Sequence, residues 1–459
     1  LNPQSFDAFN LHPDLARGAR DLGFLTPTPI QAGAIPPLLE GRDILAAAAT
    51  GSGKTAAFLL PILNQLMGKP RGTTRALILA PTRELAAQIV EHMQDLAKYT
   101  RLTGAAIFGG VGMRPQEDAF RRGFDVLVAC PGRLLDHMQY GYARLAGLEI
   151  LVLDEADRML DMGFLPDVKR VLAALPKPKQ TMLFSATMPQ PIVQLSREFL
   201  TSPVALNIER RSEPAKGITH AVYPVPDDLK PAFLRDFLAR HAYDSVLAFT
   251  RTKHRANRLA QMLESQGVPC TLIHGSKSQS RRTEALAGFK GGQFRVMVAT
   301  DIAARGIDVV ELALVVNVDV PHVPEDYIHR VGRTARADAK GVAITLVAPD
   351  EEGDLRAIER HLKKSLPRER LQGFDYAQRP AERFEVPIGD RIAIIRKQKA
   401  EERARARANE ERRAQKREEQ QRREAQQAAS RPATTPRGQV GGRGPMPSRN
   451  RGPQRHGSR

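Results

Sequence analysis

The chain has 459 residues, 42% apolar and 26% charged, with a net charge of +18, a balance that supports two or three soluble domains. It holds no run of about 18 apolar residues, and Leu1–Phe6 shows no basic region leading into an apolar core, so neither a membrane-spanning helix nor a secretory signal is expected. Two distant cysteines, Cys130 and Cys270, make neither a disulfide framework nor a zinc site and fit a reducing cytoplasm.

From the amino terminus, residues 1–208 alternate short apolar runs with longer segments of helical period. Ile44–Ala47, Ala76–Ala80, Val126–Cys130, Ile150–Leu153 and Met182–Phe184 read as buried strands, and Arg83–Tyr99 as a helix between two of them. That alternation predicts an α/β fold, with a parallel sheet covered by helices on both faces. The polar stretch 209–217, with Pro214 and Gly217, reads as a linker. Residues 218–372 repeat the alternation, with strands predicted at Ser245–Thr250, Thr271–Ile273, Val296–Ala299, Leu314–Val318 and Ala343–Val347.

Residues 373–459 read as a basic, low-complexity tail. Residues 391–428 are rich in Arg, Glu, Ala and Gln, while from Ser430 onward Gly, Pro and Arg dominate and no aromatic of the Phe, Tyr or Trp type occurs. Such a composition buries too little surface to offset chain entropy, so disorder is expected. Residues 391–459 carry 20 Lys/Arg against 7 Asp/Glu, which places +13 of the total +18 there. A polyanionic partner follows from that placement, with a merely solubilising tail as the alternative.

Ala48-Ala49-Thr50-Gly51-Ser52-Gly53-Lys54-Thr55 follows the first predicted strand and precedes the helical stretch Ala56–Leu66. Small residues there let backbone N–H groups wrap phosphate oxygens, and a helix N-terminus adds a favourable dipole. Lys54 suits the β- and γ-phosphates and Thr55 suits Mg²⁺, although Ala48 stands where the pattern usually opens with Gly. The strand Ile150–Leu153 runs into Asp154-Glu155-Ala156-Asp157. Asp154 suits a hydrated Mg²⁺, and Glu155 suits a base that orients and deprotonates the attacking water. A phosphate loop and an acidic strand end in one sheet predict an NTPase.

Asp154–Asp157 also spells the signature of the DEAD-box helicases, and residues 5–370 resemble that family motif by motif, most of all its bacterial RhlE-type branch. The resemblance implies two tandem RecA-like domains, ATP and Mg²⁺ as ligands, and RNA as partner. Gly23-Phe24 and Pro27–Gln31 resemble the adenine-reading motif, with Phe6 as its upstream aromatic; Gln31 would pair with the adenine edge while Phe24 stacks on its face. Pro81-Thr82-Arg83, Gly109-Gly110 and Cys130-Pro131-Gly132-Arg133 resemble the RNA-gripping loops of the first domain, with Cys130 in place of the usual Thr. Ser185-Ala186-Thr187 resembles the motif that links hydrolysis to strand separation, and the resemblance groups Asp157 and His329 with it as coupling residues.

In the second half, Phe249-Thr250-Arg251, His274-Gly275 with Gln279 and Arg282, and Thr300–Asp308 match further motifs. They imply RNA contacts by Arg251, Gly275, Gln279 and Thr300, and a ribose contact by Asp308. His329–Arg336 closes the set: Arg333 and Arg336 would act as arginine fingers on the γ-phosphate, and Ala335 stands where Gly is commoner. The implied cycle joins two half-sites around ATP and grips RNA phosphates and 2′-hydroxyls without regard to sequence. Tail-borne contacts to ribosomal or RNA-decay proteins are compatible with it. A DNA-directed motor and an ATP-gated RNA clamp stand as the alternatives.

Overall fold

The computed structural model describes residues 5–48, 51–176, 180–207, 217–304, 309, 312–334, 341–378 and 384. The expected linker residues 209–216 and the tail beyond 384 lie outside the described residues.

The first domain holds seven strands: β1 (Ile44–Ala47), β2 (Ala76–Leu79), β3 (Gly104–Ile107), β4 (Val126–Ala129), β5 (Ile150–Leu153), β6 (Gln180–Ser185) and β7 (Val204–Asn207). They pair in parallel in the order β3-β4-β2-β5-β6-β1-β7. Every residue of β2, β4 and β5 is buried, as near-continuous apolar strands require when helices cover both sheet faces. Alternate side chains go to opposite cores, Ala76 and Ile78 to one and Leu77 and Leu79 to the other.

The second domain holds β8 (Ile218–Pro224), β9 (Val246–Thr250), β10 (Cys270–Ile273), β11 (Val296–Thr300), β12 (Leu314–Asn317) and β13 (Gly341–Val347), all parallel, in the order β10-β11-β9-β12-β13-β8. Each interior strand expected from the apolar runs is present. Three strands were not foreseen, β3, β7 and β8, and all three lie at sheet edges. There one-sided covering relaxes the demand for apolar residues, as the sequences Gly-Ala-Ala-Ile and Val-Ala-Leu-Asn show.

Hydroxyl caps fix where helices begin. Thr82 Oγ1 accepts from Leu85 N–H at 3.2 Å, and Thr252 Oγ1 accepts likewise from Arg255 N–H at 3.2 Å, each one turn beyond a strand end. The first of these helices spans Arg83–Leu96, ending three residues before the expected Tyr99. The folded part also reaches past residue 372, where the pattern was expected to fade. Phe374 and Phe384 are buried against Phe233 and its neighbours, and the Phe384 ring lies 4.0 Å from the Arg255 guanidinium carbon.

Candidate active site

The loops that carry chemistry leave the carboxyl ends of the strands, and the strand order sorts them into two groups. β5, β6 and β1 are neighbours and deliver the phosphate loop, Asp154–Asp157 and Ser185–Thr187 to one place. β3, β4 and β2 are neighbours on the other half of the same sheet, and deliver Gly109-Gly110, Pro131–Arg133 and Pro81–Arg83.

In the phosphate loop Gly51 and Gly53 take φ of 77° and 95°, and Gly53 caps the helix Lys54–Leu66. A Cβ on Gly53 would lie 2.6 Å from Gln31 Nε2, so both the backbone angle and the space call for glycine. Lys54 is buried, and its Nζ has no hydrogen-bond partner among the described residues. Oδ1 of Asp154 is likewise buried without a partner. Burial pushes the Asp154 carboxyl up to about 6, against the pull of Lys54 and with the help of the Glu155 charge. A buried ammonium and a buried carboxyl oxygen, each short of hydrogen bonds, are expensive to hold in one cleft unless a ligand completes them. Ala49 and Thr50 lie outside the described residues.

Glu155 adopts the left-handed conformation (φ 53°, ψ 51°), unusual for a non-glycine residue and worth about 1–3 kcal/mol of strain. Its Oε2 accepts from Arg158 Nη1 at 2.7 Å, and both side chains are buried. That ion pair fixes the carboxylate beside Asp154. The spacing Glu-x-x-Arg on a short helix was the sequence signal for it, and it went unread. Asp157 ties this loop to β6: its Oδ2 accepts from Thr187 N–H at 2.7 Å, and its own N–H donates to Ser185 Oγ at 3.2 Å. Ser185 Oγ in turn donates to Thr187 carbonyl at 2.6 Å. Burial alone would raise the Asp157 carboxyl, but the Thr187 and Ser185 donors outweigh it and hold the pKa below the usual value. Asp157, Ser185 and Thr187 are therefore brought together as one hydrogen-bonded unit.

The segment expected to read the base already has partners within the chain. Gln31 Oε1 accepts from Thr28 N–H at 2.8 Å, closing a capping box on the helix Pro29–Leu39, and Nε2 donates to the Gly53 carbonyl at 3.2 Å. Phe6 stacks on Phe24 with ring centroids 5.6 Å apart and planes 20° apart. Phe24, Thr28 and Gln31 line a cleft of about 950 Å³ together with Lys54, Thr55, Asp154 and Glu155, and the second domain contributes Gln279, Arg282 and Arg333 to its wall.

Among the second group of loops, the Arg83 guanidinium packs over Gly110, whose φ is 83°, in space that a Cβ would fill. Arg133 Nη1 donates to Val111 carbonyl at 3.3 Å, drawing the Pro131–Arg133 turn onto the Gly109-Gly110 loop. Cys130 takes the N-cap position of the helix Pro131–Met138 with no side-chain cap bond, and burial pushes its thiol up to about 12.

In the second domain Thr250 and Thr300 end β9 and β11, Arg251 follows the first of these, and His274 and Gly275 follow the neighbouring β10. Arg251 Nη2 is held by Glu351 Oε1 at 2.8 Å. Gln279 Nε2 donates across the cleft to Glu84 Oε1 at 3.1 Å, and Arg282 Nε lies 3.0 Å from the same oxygen. Sequence reading did not foresee this bridge, because Glu84 sits inside a motif read for its neighbours. Arg330 is spent on a bidentate pair with Asp301 (2.6 and 2.7 Å) and bonds to Asn317 and Asp319, while His329 and Arg333 face a small recess shared with Arg158. Asp308, Ala335 and Arg336 lie outside the described residues.

Residues 28–195 match the DEAD/DEAH box helicase family, and residues 229–338 match the helicase conserved C-terminal domain. The chain is 38% identical over 397 residues to the ATP-dependent RNA helicase DbpA of Bacillus subtilis, covering 86% of this chain and 82% of that one. It is 40% identical over 370 residues to the ATP-dependent RNA helicase RhlB of Pseudomonas syringae pv. tomato, covering 79% and 93%. Among solved structures it is similar to S. cerevisiae Dbp5 bound to RNA and ADP BeF3 (TM-score 0.73, 32% identity, 80% of this chain and 96% of that one). It is also similar to the DEAD-box helicase Mss116 bound to ssRNA and UDP-BeF (TM-score 0.73, 26% identity, 81% and 80%).

Proposed function

Since the chain belongs to the DEAD-box family, and is thereby an ATP-dependent RNA helicase with RNA-dependent ATPase activity, we propose that the cleft between its two domains is where ATP hydrolysis is coupled to RNA strand separation. The observation that carries this reading is a pair of buried atoms without a hydrogen-bond partner among the described residues, Lys54 Nζ and Asp154 Oδ1, in a cleft whose wall includes Arg333. Lys54 and the N–H groups of Gly51–Thr55 would hold the phosphates, with Ala49 and Thr50 completing the loop. Gln31, Phe24 and Phe6 form the adenine side, and Asp308 the ribose side.

The donor set fits Mg²⁺. A hydroxyl (Thr55) and a carboxylate with a free oxygen (Asp154) are the hard ligands that ion prefers, largely through water. When bound, the ion neutralises charge on the phosphates. Glu155, oriented by Arg158, accepts the proton of the attacking water. Arg333, which lines the cleft from the second domain, and Arg336 would stabilise charge on the transferred phosphoryl group. The Asp157–Thr187–Ser185 unit and His329 carry the change of state toward the RNA side.

RNA is the partner of the second group of loops: Pro81, Thr82, Arg83, Gly109, Gly110, Pro131, Gly132 and Arg133 in the first domain, and Arg251, Gly275, Gln279 and Thr300 in the second. Backbone N–H groups and arginines suit phosphate oxygens, so binding is sequence-neutral and unwinding local rather than processive. The basic residues beyond 390 add a salt-sensitive tether and a surface for ribosomal or RNA-decay proteins. A cytoplasmic site of action and the RhlE-type branch complete the reading; the branch rests on motif spelling alone, since the relatives above carry other names.

Steady-state ATP hydrolysis with matched single-stranded RNA or DNA tests the whole. Strong stimulation by RNA alone is expected. Equal stimulation by both would turn the reading to a general motor, and tight ATP-dependent RNA retention without turnover would turn it to a clamp.

A further inference from the structure

Behind the Gly109-Gly110 loop stands an aromatic cluster that the helicase cycle does not use. Gln116 brackets the loop: its Oε1 accepts from Phe108 N–H at 3.1 Å, and its Nε2 donates to the carbonyls of Phe108 and Gly112 at 3.1 and 3.2 Å. Against Gln116 lies the fully buried His137, its Nε2 3.4 Å from Gln116 Oε1 and its Nδ1 2.9 Å from the Tyr142 hydroxyl. Burial holds the His137 pKa below its usual value, so the ring is a neutral packing element near pH 7. Tyr142 is thereby anchored at its polar end, and the Arg121 guanidinium carbon sits 5.3 Å from its ring centroid. Arg121 is also paired with Glu117 at 2.7 Å, which keeps it in place.

Onto this fixed base a second ring is laid. Tyr140 stacks on Tyr142 with centroids 5.5 Å apart and planes 5° apart, yet 54% of Tyr140 remains exposed. Among the described residues few large apolar side chains are so open, and this one lies parallel to a ring whose hydroxyl is bonded to His137. An exposed aromatic face backed by a second, parallel ring is how proteins stack unpaired bases without reading their identity.

The position supplies the ligand. Tyr140 lies just past the carboxyl end of the helix Pro131–Met138, whose opposite end carries the Pro131–Arg133 turn. Eight residues of helix span about 12 Å, the reach of a few nucleotides. We propose that Tyr140 is a stacking platform for one unpaired base of the strand gripped by the Gly109-Gly110 and Pro131–Arg133 loops, an RNA contact additional to the backbone grip. The proposal rests on those loops binding RNA.

An abasic scan tests it. The full-length protein, saturated with a non-hydrolysable ATP analogue, is titrated with single-stranded RNAs that each lack one base. Removal of one particular base is expected to weaken wild-type binding about 5- to 150-fold, the range for a stacked base. In Tyr140→Ala that position becomes silent, while Tyr140→Phe, which keeps the ring, retains the peak. A flat wild-type scan, or a peak that survives Tyr140→Ala, overturns the proposal. Arg133→Ala separates the two readings: it should weaken every RNA alike, abasic positions included. If it weakens none while the Tyr140-dependent peak persists, the loop assignment fails, and with it the placing of the stacked base on a strand held by these loops.

Discussion

Glu84 offers the most direct measure of how much the two domains gain by coming together. Its carboxylate receives Gln279 Nε2 at 3.1 Å and lies 3.0 Å from Arg282 Nε, and side-chain exposures of 9% for Glu84 and 12% for Arg282 leave little solvent screening. Burial lowers the Arg282 pKa from its ordinary value, with Glu84 offsetting part of the effect. The contact exists only while the domains are apposed; apart, all three groups return to water. Glu84→Ala should therefore destabilise the apposed state and leave each domain's fold intact. A charge-assisted hydrogen bond contributes about 1.5–3 kcal/mol. Stranding a buried arginine costs up to about 3–5 kcal/mol. A value of about 2 kcal/mol shifts the closing equilibrium roughly 30-fold. The assay is the dissociation rate of RNA from protein loaded with a non-hydrolysable ATP analogue, expected to rise by about that factor, with nucleotide-free RNA affinity unchanged. Arg282→Met supplies the second arm of a double-mutant cycle, in which the double variant should cost much less than the sum of the singles. RNA release within twofold of wild type for Glu84→Ala, or additive effects in the cycle, would refute the argument.

Glu155→Gln should keep ATP and RNA binding but reduce turnover by orders of magnitude, and brisk hydrolysis by this variant removes Glu155 as the base. Cys130→Thr places a hydroxyl at an extended N-cap (φ −78°, ψ 132°) that now lacks a side-chain bond, and should raise stability by about 1 kcal/mol in denaturant titration. Because burial pushes both Cys130 and Cys270 up to about 12, alkylation of the native protein at pH 8 should be slow, and rapid labelling contradicts that environment. Deleting residues 391–459 removes +13 of charge and should lower RNA affinity and flatten its dependence on salt; an unchanged slope ends the tether idea.

What was legible in the sequence follows a physical line. Interior strands announce themselves because both faces are covered, so Val126–Ala129 and Ile150–Leu153 were found within a residue. The edge strands Gly104–Ile107 and Val204–Asn207 were not, since one-sided covering tolerates small and polar residues. At the site, local spacing gave the phosphate loop and the acidic strand end. What it did not give were side chains whose partners are distant in the chain: Glu84 with Gln279 and Arg282, Arg330 with Asp301, and Phe384 over Arg255. Arg330 is instructive. It sits among arginines read as phosphate ligands, yet its guanidinium is bound on three sides, to Asp301, Asn317 and the Asp319 carbonyl. Only the fold separates a structural arginine from the one three residues away that is proposed to meet phosphate.

The amide of Gln31 already spans two addresses, the Thr28 N–H at the start of its own helix and the Gly53 carbonyl in the phosphate loop. On the proposed reading, base and phosphate would thus meet parts that share a fastening. An amide carries two N–H groups and an oxygen with two lone pairs, so a purine would bond Gln31 while its hold on Thr28 and Gly53 stays closed. Bare triphosphate would fill the phosphate cradle and leave the outer side of that join idle. The base would then act as a brace, stiffening the loop through a link already made at the residue where it turns into the helix bearing Lys54.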